Sequence, residues 1–352
     1  MSPAAGLRTD DRKGRSIAPQ PKVLVLTNRS WDKIVSAGTI LDLEDAMTRV
    51  ARTEVLALPP SNRRARLQAL RSGRRITPSS PASSRYDMCL LAIFQADQIR
   101  ALKYVRDLRR VCKRVVVYLF DAWVSDSAII RRHRNLWGTC DSLFVSFPSA
   151  VEPYSRWLDC PVAYLPQAIE PRRFNPTRLE RPIDVLSLGR RVTAVHRALV
   201  EAAERLDLWY HFSEARAPRA IDLRESQLLA GQLCRSAKIQ ICWPIELTHA
   251  SEEKRLRFSE RDGSPITARW FEAAACASVV MGAAPRTAEL STLFPYEGFV
   301  RELDPSAPEL VRARVLEALA DDGDREERQL LARYVMREHS WEARCRAMLS
   351  SL

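Results

Sequence analysis

PITARWFEAAACASVVM, residues 265 to 281, is the stretch on which the reading of the fold turns: a short helical pattern that runs directly into a β-branched strand pattern. Trp270, Ala274 and Cys276 or Ala277 recur at helical spacing on one face, while Arg269, Glu272 and Ala273 fall on a neighbouring face that can look outward. Pro265 suits a first helical turn, where its missing N–H would be unpaired anyway, and Ser264 before it is the expected cap. Taken alone, Arg269 and Glu272 read as a surface i, i+3 pair worth roughly a few tenths of a kcal/mol.

Working outward, strand and helix patterns alternate on both sides. Towards the N-terminus lie a long polar loop at 244–263, the strand AKIQICW from Ala237, a helix near Leu223 to Ser236 and a strand near Leu208 to Phe212. Before them IDVLSLGRR, Ile183 to Arg191, reads as a strand ending near Gly189, with a helix from about Thr193 to Leu206. A glycine turn at a helix start offers backbone N–H groups and the positive end of the helix dipole to a phosphate, and Arg190, Arg191 and Arg197 add charge. Helical patterns near Pro308 to Asp321, Arg325 to Met336 and Trp341 to Leu349 close the chain.

The proline-rich, aperiodic YLPQAIEPRRFNP, Tyr164 to Pro176, reads as a linker. Upstream of it the alternation appears again: a continuous apolar strand at Val23 to Thr27, a helix at about Ala37 to Val50, strands from Glu54, at Met88 to Phe94 and at Arg114 to Phe120, a helix from about Asp97 to Val111, and strands at Ser142 to Phe147 and Val162 to Leu165. Continuous apolar runs suit parallel strands covered on both faces. The expectation is therefore an α/β chain of two doubly wound, Rossmann-like domains facing a cleft, 21–178 and 179–352, after a disordered tail at 1–20. The first turn, Asn28 to Gly38, lacks GxGxxG, which argues against an ordinary dinucleotide cofactor site.

In such sheets ligands lie beyond the carboxyl ends of the strands, which makes Asp121, at the end of one, a catalytic candidate. It reads equally as the cap of the next helix. His133, in RRHRNLWG, reads as part of a solvated basic face, and His196 as a helix-surface residue. Between Pro59 and Arg85 lies an insertion carrying Arg63, Arg64, Arg66, Arg71, Arg74, Arg75 and Arg85, either a solvated loop or a basic surface for anionic lipid or a phosphate-bearing acceptor.

The formal net charge of +12 points to an anionic partner or substrate. No zinc-finger, RNA-recognition or basic-zipper signature is present, so no nucleic acid is expected. The cysteines, at 89, 112, 140, 160, 234, 242, 276 and 345, form no CxxC and no metal-spaced cluster with histidine. Read as reduced, mostly buried thiols, they favour the cytoplasm, and the lipid-binding reading of the insertion would put the chain at the inner membrane face. No metal and no cofactor is implied, since no Asp-x-Asp signature stands in a helpful context.

Four separated stretches resemble the nucleotide-sugar glycosyltransferases of two-domain GT-B architecture, particularly the group whose C-terminal domain is related to spore-maturation proteins. YLPQAIEPRRFNP is similar to that group's P-N-G-I-D-x-x-x-F-x-P turn, with Gln167, Ala168 and Glu170 in place of Asn, Gly and Asp. SLGRRVTAVHRALVEA resembles the phosphate-facing loop and helix, ITARWFEAAACASVVM the donor-binding signature, and EHSWEARCRAML the closing helix that packs back toward the first domain. The resemblance implies that Glu272 accepts hydrogen bonds from the ribose hydroxyls of a nucleoside-diphosphate-sugar donor. It also implies that Arg197, with Arg269 or Arg190, neutralises the diphosphate beside Gly189.

Ser264 stands where the larger family has a second acid that contacts the donor sugar, and Ala277 where many relatives have Gly. The expected activity is transfer of a sugar, of hexosyl type, to a carbohydrate, lipid-linked or small-molecule acceptor in polysaccharide biosynthesis, with Asp121 assisting at the acceptor. The competing expectation is an inactive GT-B-like protein that binds a nucleotide or glycan, or acts as a basic scaffold.

Overall fold

The computed structural model describes residues 20–27, 37–58, 85–105, 107–177, 179–213, 222–249, 263–321 and 323–351. The N-terminal tail, the turn at 28–36 and the arginines of the insertion other than Arg85 lie outside the described residues.

The first sheet is formed by β1 (Lys22–Thr27), β2 (Arg52–Ala57), β3 (Tyr86–Gln95), β4 (Cys112–Asp121), β5 (Ser142–Val145) and β6 (Val162–Tyr164), in the order β2-β1-β3-β4-β5-β6. Every pairing is parallel. The central strands carry continuous apolar runs because both faces are covered, and Val23 to Leu26 and Met88 to Ile93 are fully buried. The helices between them are α1 (Gly38–Val50), α2 (Leu108–Val111), α3 (Ser127–Arg132), α4 (Arg134–Trp137) and α5 (Val151–Trp157).

The single helix expected over 97–111 is instead a 3-10 helix, Ala96–Tyr104, followed by the short α2. Asp107, between them, has φ 52°, a left-handed conformation that breaks helical propagation.

The second sheet holds β7 (Ile183–Ser187), β8 (Tyr210–Phe212), β9 (Ala237–Cys242), β10 (Val279–Gly282) and β11 (Val300–Glu302), in the order β11-β10-β9-β7-β8, again all parallel. Its helices are α6 (Thr193–Leu206), α7 (Leu223–Arg235), α8 (Ile245–His249), α9 (Ala268–Ala275), α10 (Glu289–Leu293), α11 (Val311–Ala320) and α12 (Arg325–Glu338). The core on one face joins α9 and α12 through Trp270, Phe271, Leu331 and Val335; the other joins α6 and α11 through Val195, Leu199, Val311 and Val315. Each sheet reverses its winding once, at β1/β3 and at β7/β9, and such reversals open a crevice at the carboxyl ends of the strands.

The final helix, α13 (Trp341–Ser350), belongs to the core of the first sheet. Trp341 meets Tyr118 edge-on at 5.8 Å between centroids and lies 5.5 Å from Phe120, while Cys345 and Met348 are fully buried beside Val23, Val25 and Met47.

The chain thus crosses between the sheets twice, and the crossings lie side by side. Ile169 N–H donates to His339 C=O and Trp341 N–H to Ile169 C=O, each at 3.0 Å. Arg344, 8% exposed, donates to the carbonyls of Pro166 at 2.9 Å and Glu338 at 3.1 Å, so one guanidinium binds both crossings. Further contacts tie α1 to the linker and to α7: Arg173 pairs with buried Asp42, and Arg224 with Asp45 at 2.9 Å.

Among the described residues no helix is long and apolar enough to cross a membrane. All eight cysteines are unpaired, seven of them buried.

Candidate functional site

The centre of the site is α9. Its start differs from the sequence expectation: the helix begins at Ala268, with extended Thr267 at the N-cap and no side-chain cap from it. The first N–H, of Ala268, donates to Gln167 Oε1 at 2.9 Å, so a linker residue fills the role expected of a local cap. Ser264 turns instead to Glu246 on α8, its Oγ donating to Oε1 at 2.6 Å. Pro265 lies before the helix, not in its first turn.

The face expected to look outward is also covered. Glu272 is 4% exposed and Ala273 fully buried, because α12 and the linker close over α9. Arg269 Nη1 donates to Glu272 Oε2 at 2.5 Å, with the guanidinium partly exposed and the carboxylate buried, so this is no ordinary surface pair. Burial works against the Arg269 charge, but the Glu272 carboxylate outweighs it and holds the guanidinium above the usual arginine range.

The C-terminus of α9 is a Schellman turn: Ala277 N–H donates to Ala274 C=O at 3.0 Å and Ser278 N–H to Ala273 C=O at 3.3 Å. Ala277 carries φ 53°, the conformation that favours glycine. Arg181 fastens the turn by donating to Cys276 C=O at 2.5 Å and to Ala277 C=O at 3.3 Å. The strand that follows ends at Gly282, φ 151°, where an added Cβ would lie 1.8 Å from Cys242 O. Only glycine lets β10 and β9 approach this closely at the site edge.

Opposite α9, the turn after β7 carries Gly189 in a left-handed conformation, φ 87°, with its N–H donating to Ser213 Oγ at 2.8 Å. The two arginines that follow part ways. Arg191 turns to the sheet side, where it donates to His196 Nε2 at 3.0 Å and lies 5.2 Å from the Phe212 ring centre. A guanidinium can only donate, so Nε2 accepts and Nδ1–H reaches Tyr210 Oη at 2.9 Å. Burial and then Arg191 depress the His196 pKa and keep the ring neutral. His196 is thus a strut inside this network.

Arg190 faces the cleft and lies within electrostatic reach of Asp121 from the first sheet and of Arg269 and Glu246 from the second. Crowding by the protein lowers its pKa, Asp121 raises it and Arg269 lowers it. The residue is exposed by area, so solvent still reaches the guanidinium and it remains a cation. Asp121 closes β4, in register with Gln95 of β3, and is partly exposed.

The structure therefore brings together Gly189, Arg190, Arg269, Glu272 and Asp121, with Ser264 joined through Glu246. Arg197 stands exposed on α6 and shares no hydrogen bond or ion pair with them. Glu246 was missed by sequence reasoning; the only signal for it was a carboxylate soon after a strand end.

Beside this group, over the carboxyl ends of β9, β10 and β11, lies a cavity of about 480 Å³ lined by Glu246, Arg286, Glu302 and Asp304 among apolar residues. Among the described residues no three His, Cys, Asp or Glu side chains gather as a metal site.

Two parallel α/β units, each with its switch point at the strand ends, and a cleft bounded by the turn after β7 and the start of α9, define the GT-B glycosyltransferase fold. The fold is shared over 94% of this chain with an α-glucosyltransferase in complex with UDP and a 13-mer DNA containing a central A:G mismatch, at TM-score 0.55, 11% identity and 99% coverage of that chain. An α-glucosyltransferase in complex with UDP-glucose and DNA containing an abasic site gives TM-score 0.54, 10% identity, and coverage of 94% of this chain and 98% of that one. A glycosyltransferase involved in avilamycin A biosynthesis aligns at TM-score 0.49 and 13% identity over 94% of this chain and 96% of that one. No protein-family profile and no curated protein matches the sequence.

Proposed function

We propose that the protein is a glycosyltransferase of hexosyl type that moves a sugar from a nucleoside diphosphate to a carbohydrate, lipid-linked or small-molecule acceptor. The observation that carries this reading is the Arg269–Glu272 pair on α9, facing Arg190 across the switch point with Asp121 opposite. Buried Glu272 supplies a fixed acceptor for ribose hydroxyls. Arg190 and Arg269 are cations placed where a diphosphate gains charge as it leaves, and fixed charges of that kind lower the barrier.

In the reaction the bond from the sugar's anomeric carbon to the diphosphate oxygen breaks, and its electron pair leaves with the diphosphate. A bond from that carbon to the acceptor oxygen forms, and the acceptor proton passes to Asp121. Assembly of polysaccharide at the inner membrane face is the setting this reading implies. Two neighbours with TM-scores above one half were solved with DNA, so a DNA duplex belongs among the acceptors tested, as a control for the net charge of +12.

The test is a thermal-shift screen against nucleoside diphosphates and their sugars, followed by donor hydrolysis. A ligand at a hundred times its Kd stabilises by about 2.7 kcal/mol. A catalyst slowly releases nucleoside diphosphate even without acceptor. Binding without release supports instead an inactive GT-B-like binding protein, a reading favoured by Ser264 standing where an acid is expected. No shift with any nucleotide would refute the donor site.

A further inference from the structure

Glu246 sits on α8, directly after β9, where the winding of the second sheet reverses. One of its oxygens, Oε1, is fixed by the Ser264 hydroxyl at 2.6 Å. The other, Oε2, is shielded from solvent and makes no hydrogen bond among the described residues. A buried acceptor left unpaired costs about 1–3 kcal/mol and few native groups remain so, which marks this atom as awaiting a donor.

Glu246 lies on the wall of the 480 Å³ cavity, a size that suits a small-molecule subsite. Pro244 and Leu247 give that wall apolar surface. Its charged lining is three carboxylates, Glu246, Glu302 and Asp304, against one cation, Arg286. In a chain of net charge +12 this is a local reversal of sign. Glu302 Oε1 is already tied to Ala284 N–H at 3.1 Å, and Asp304 Oδ1 to Ser306 N–H and Oγ at 2.8 and 2.6 Å. Among the described residues that line this cavity, Glu246 is the one with a buried carboxylate oxygen, Oε2, that has nothing to accept. Fixed carboxylates take O–H or N–H donors and repel anions.

We infer that Glu246 accepts a hydrogen bond from a hydroxyl or amino group of the sugar carried by the donor, so that the enzyme takes neutral or amino sugars and discriminates against uronic acids. The inference rests on the donor-site reading above. Ser264 then acts through that carboxylate, holding it in place from the position where an acid was expected.

The test compares wild type with Glu246→Gln by calorimetric titration. The probes are UDP, UDP-glucose and UDP-glucuronate, with GDP, GDP-mannose and GDP-mannuronate as the second series. In the series that binds, the free diphosphate is expected to bind both proteins within about twofold. The neutral-sugar donor is expected to lose about tenfold or more in the variant, because a charged acceptor is replaced by a neutral amide. In the wild type the uronate donor is expected to bind at least about tenfold more weakly than its neutral partner.

A uronate that binds as tightly as the neutral sugar, or a variant that loses affinity equally for diphosphate and sugar conjugate, overturns the assignment. Binding of no member of either series overturns the donor site itself. If Glu246→Gln fails to fold, Ser264→Ala, which releases Oε1, is read by the same ratio of conjugate to diphosphate affinity.

Discussion

Replacing Glu272 by alanine separates a ligand-binding acid from a structural one, and the structure fixes how large each effect must be. Oε2 of the carboxylate is committed to Arg269 at 2.5 Å, which leaves Oε1 for a ribose hydroxyl. One hydrogen bond to a charged group contributes about 1.5–3 kcal/mol, so nucleoside diphosphate affinity should fall about 10- to 150-fold. The unliganded protein loses an ion pair whose cation is 32% exposed, so solvent screening limits that loss to about 1 kcal/mol. Calorimetric titration with the best nucleotide from the screen, beside thermal melts without ligand, reads both quantities. Equal affinities together with a large fall in melting temperature would refute the placement of ribose on α9 and leave Glu272 as a partner for Arg269 alone.

Asp121→Asn should leave nucleotide affinity unchanged and lower turnover by about 10²–10⁴, the range for a general acid–base group; full turnover removes Asp121 from the chemistry. Ala277→Gly relieves a left-handed alanine and should raise stability by up to about 1 kcal/mol, visible as a rise of about 2–4 °C in melting temperature; a fall would show that the methyl group packs there. His339 has its pKa depressed to about 4 by burial and then by Arg344. The unfolded chain therefore binds a proton that the folded one refuses between about pH 6.5 and 4, so stability should fall as pH falls through that window. In His339→Phe melts the slope over that window should flatten, and an unchanged slope would assign it to other groups.

The α/β alternation was legible because strands such as Val23 to Leu26 are apolar on both faces, a pattern that only covered parallel strands require. The start of α9 was not, although Ser264 and Pro265 satisfy the local rules for one. Its first N–H is met by Gln167, a residue 101 positions away, and no local pattern encodes a partner so distant. The burial of Glu272 was hidden for a related reason: helical spacing gives the faces of a helix, not what later elements lay over them. Ala277, which stands where many relatives have Gly, holds a backbone conformation that glycine adopts at less cost. Glu246 has little local signal because its partner Ser264 is 18 residues away.

The paired crossings have a mechanical consequence. The two crossings, bound to each other by Ile169 and by Arg344, act as one doubled connection, so neither can shift without carrying the other. The same arrangement makes the first sheet depend on residues synthesised long after its own strands. A ribosome that has released residue 178 has made all six strands of that sheet, yet Trp341, Cys345 and Met348, which cover one of its faces, do not yet exist. Until they are made, that face has α1 over it but not α13.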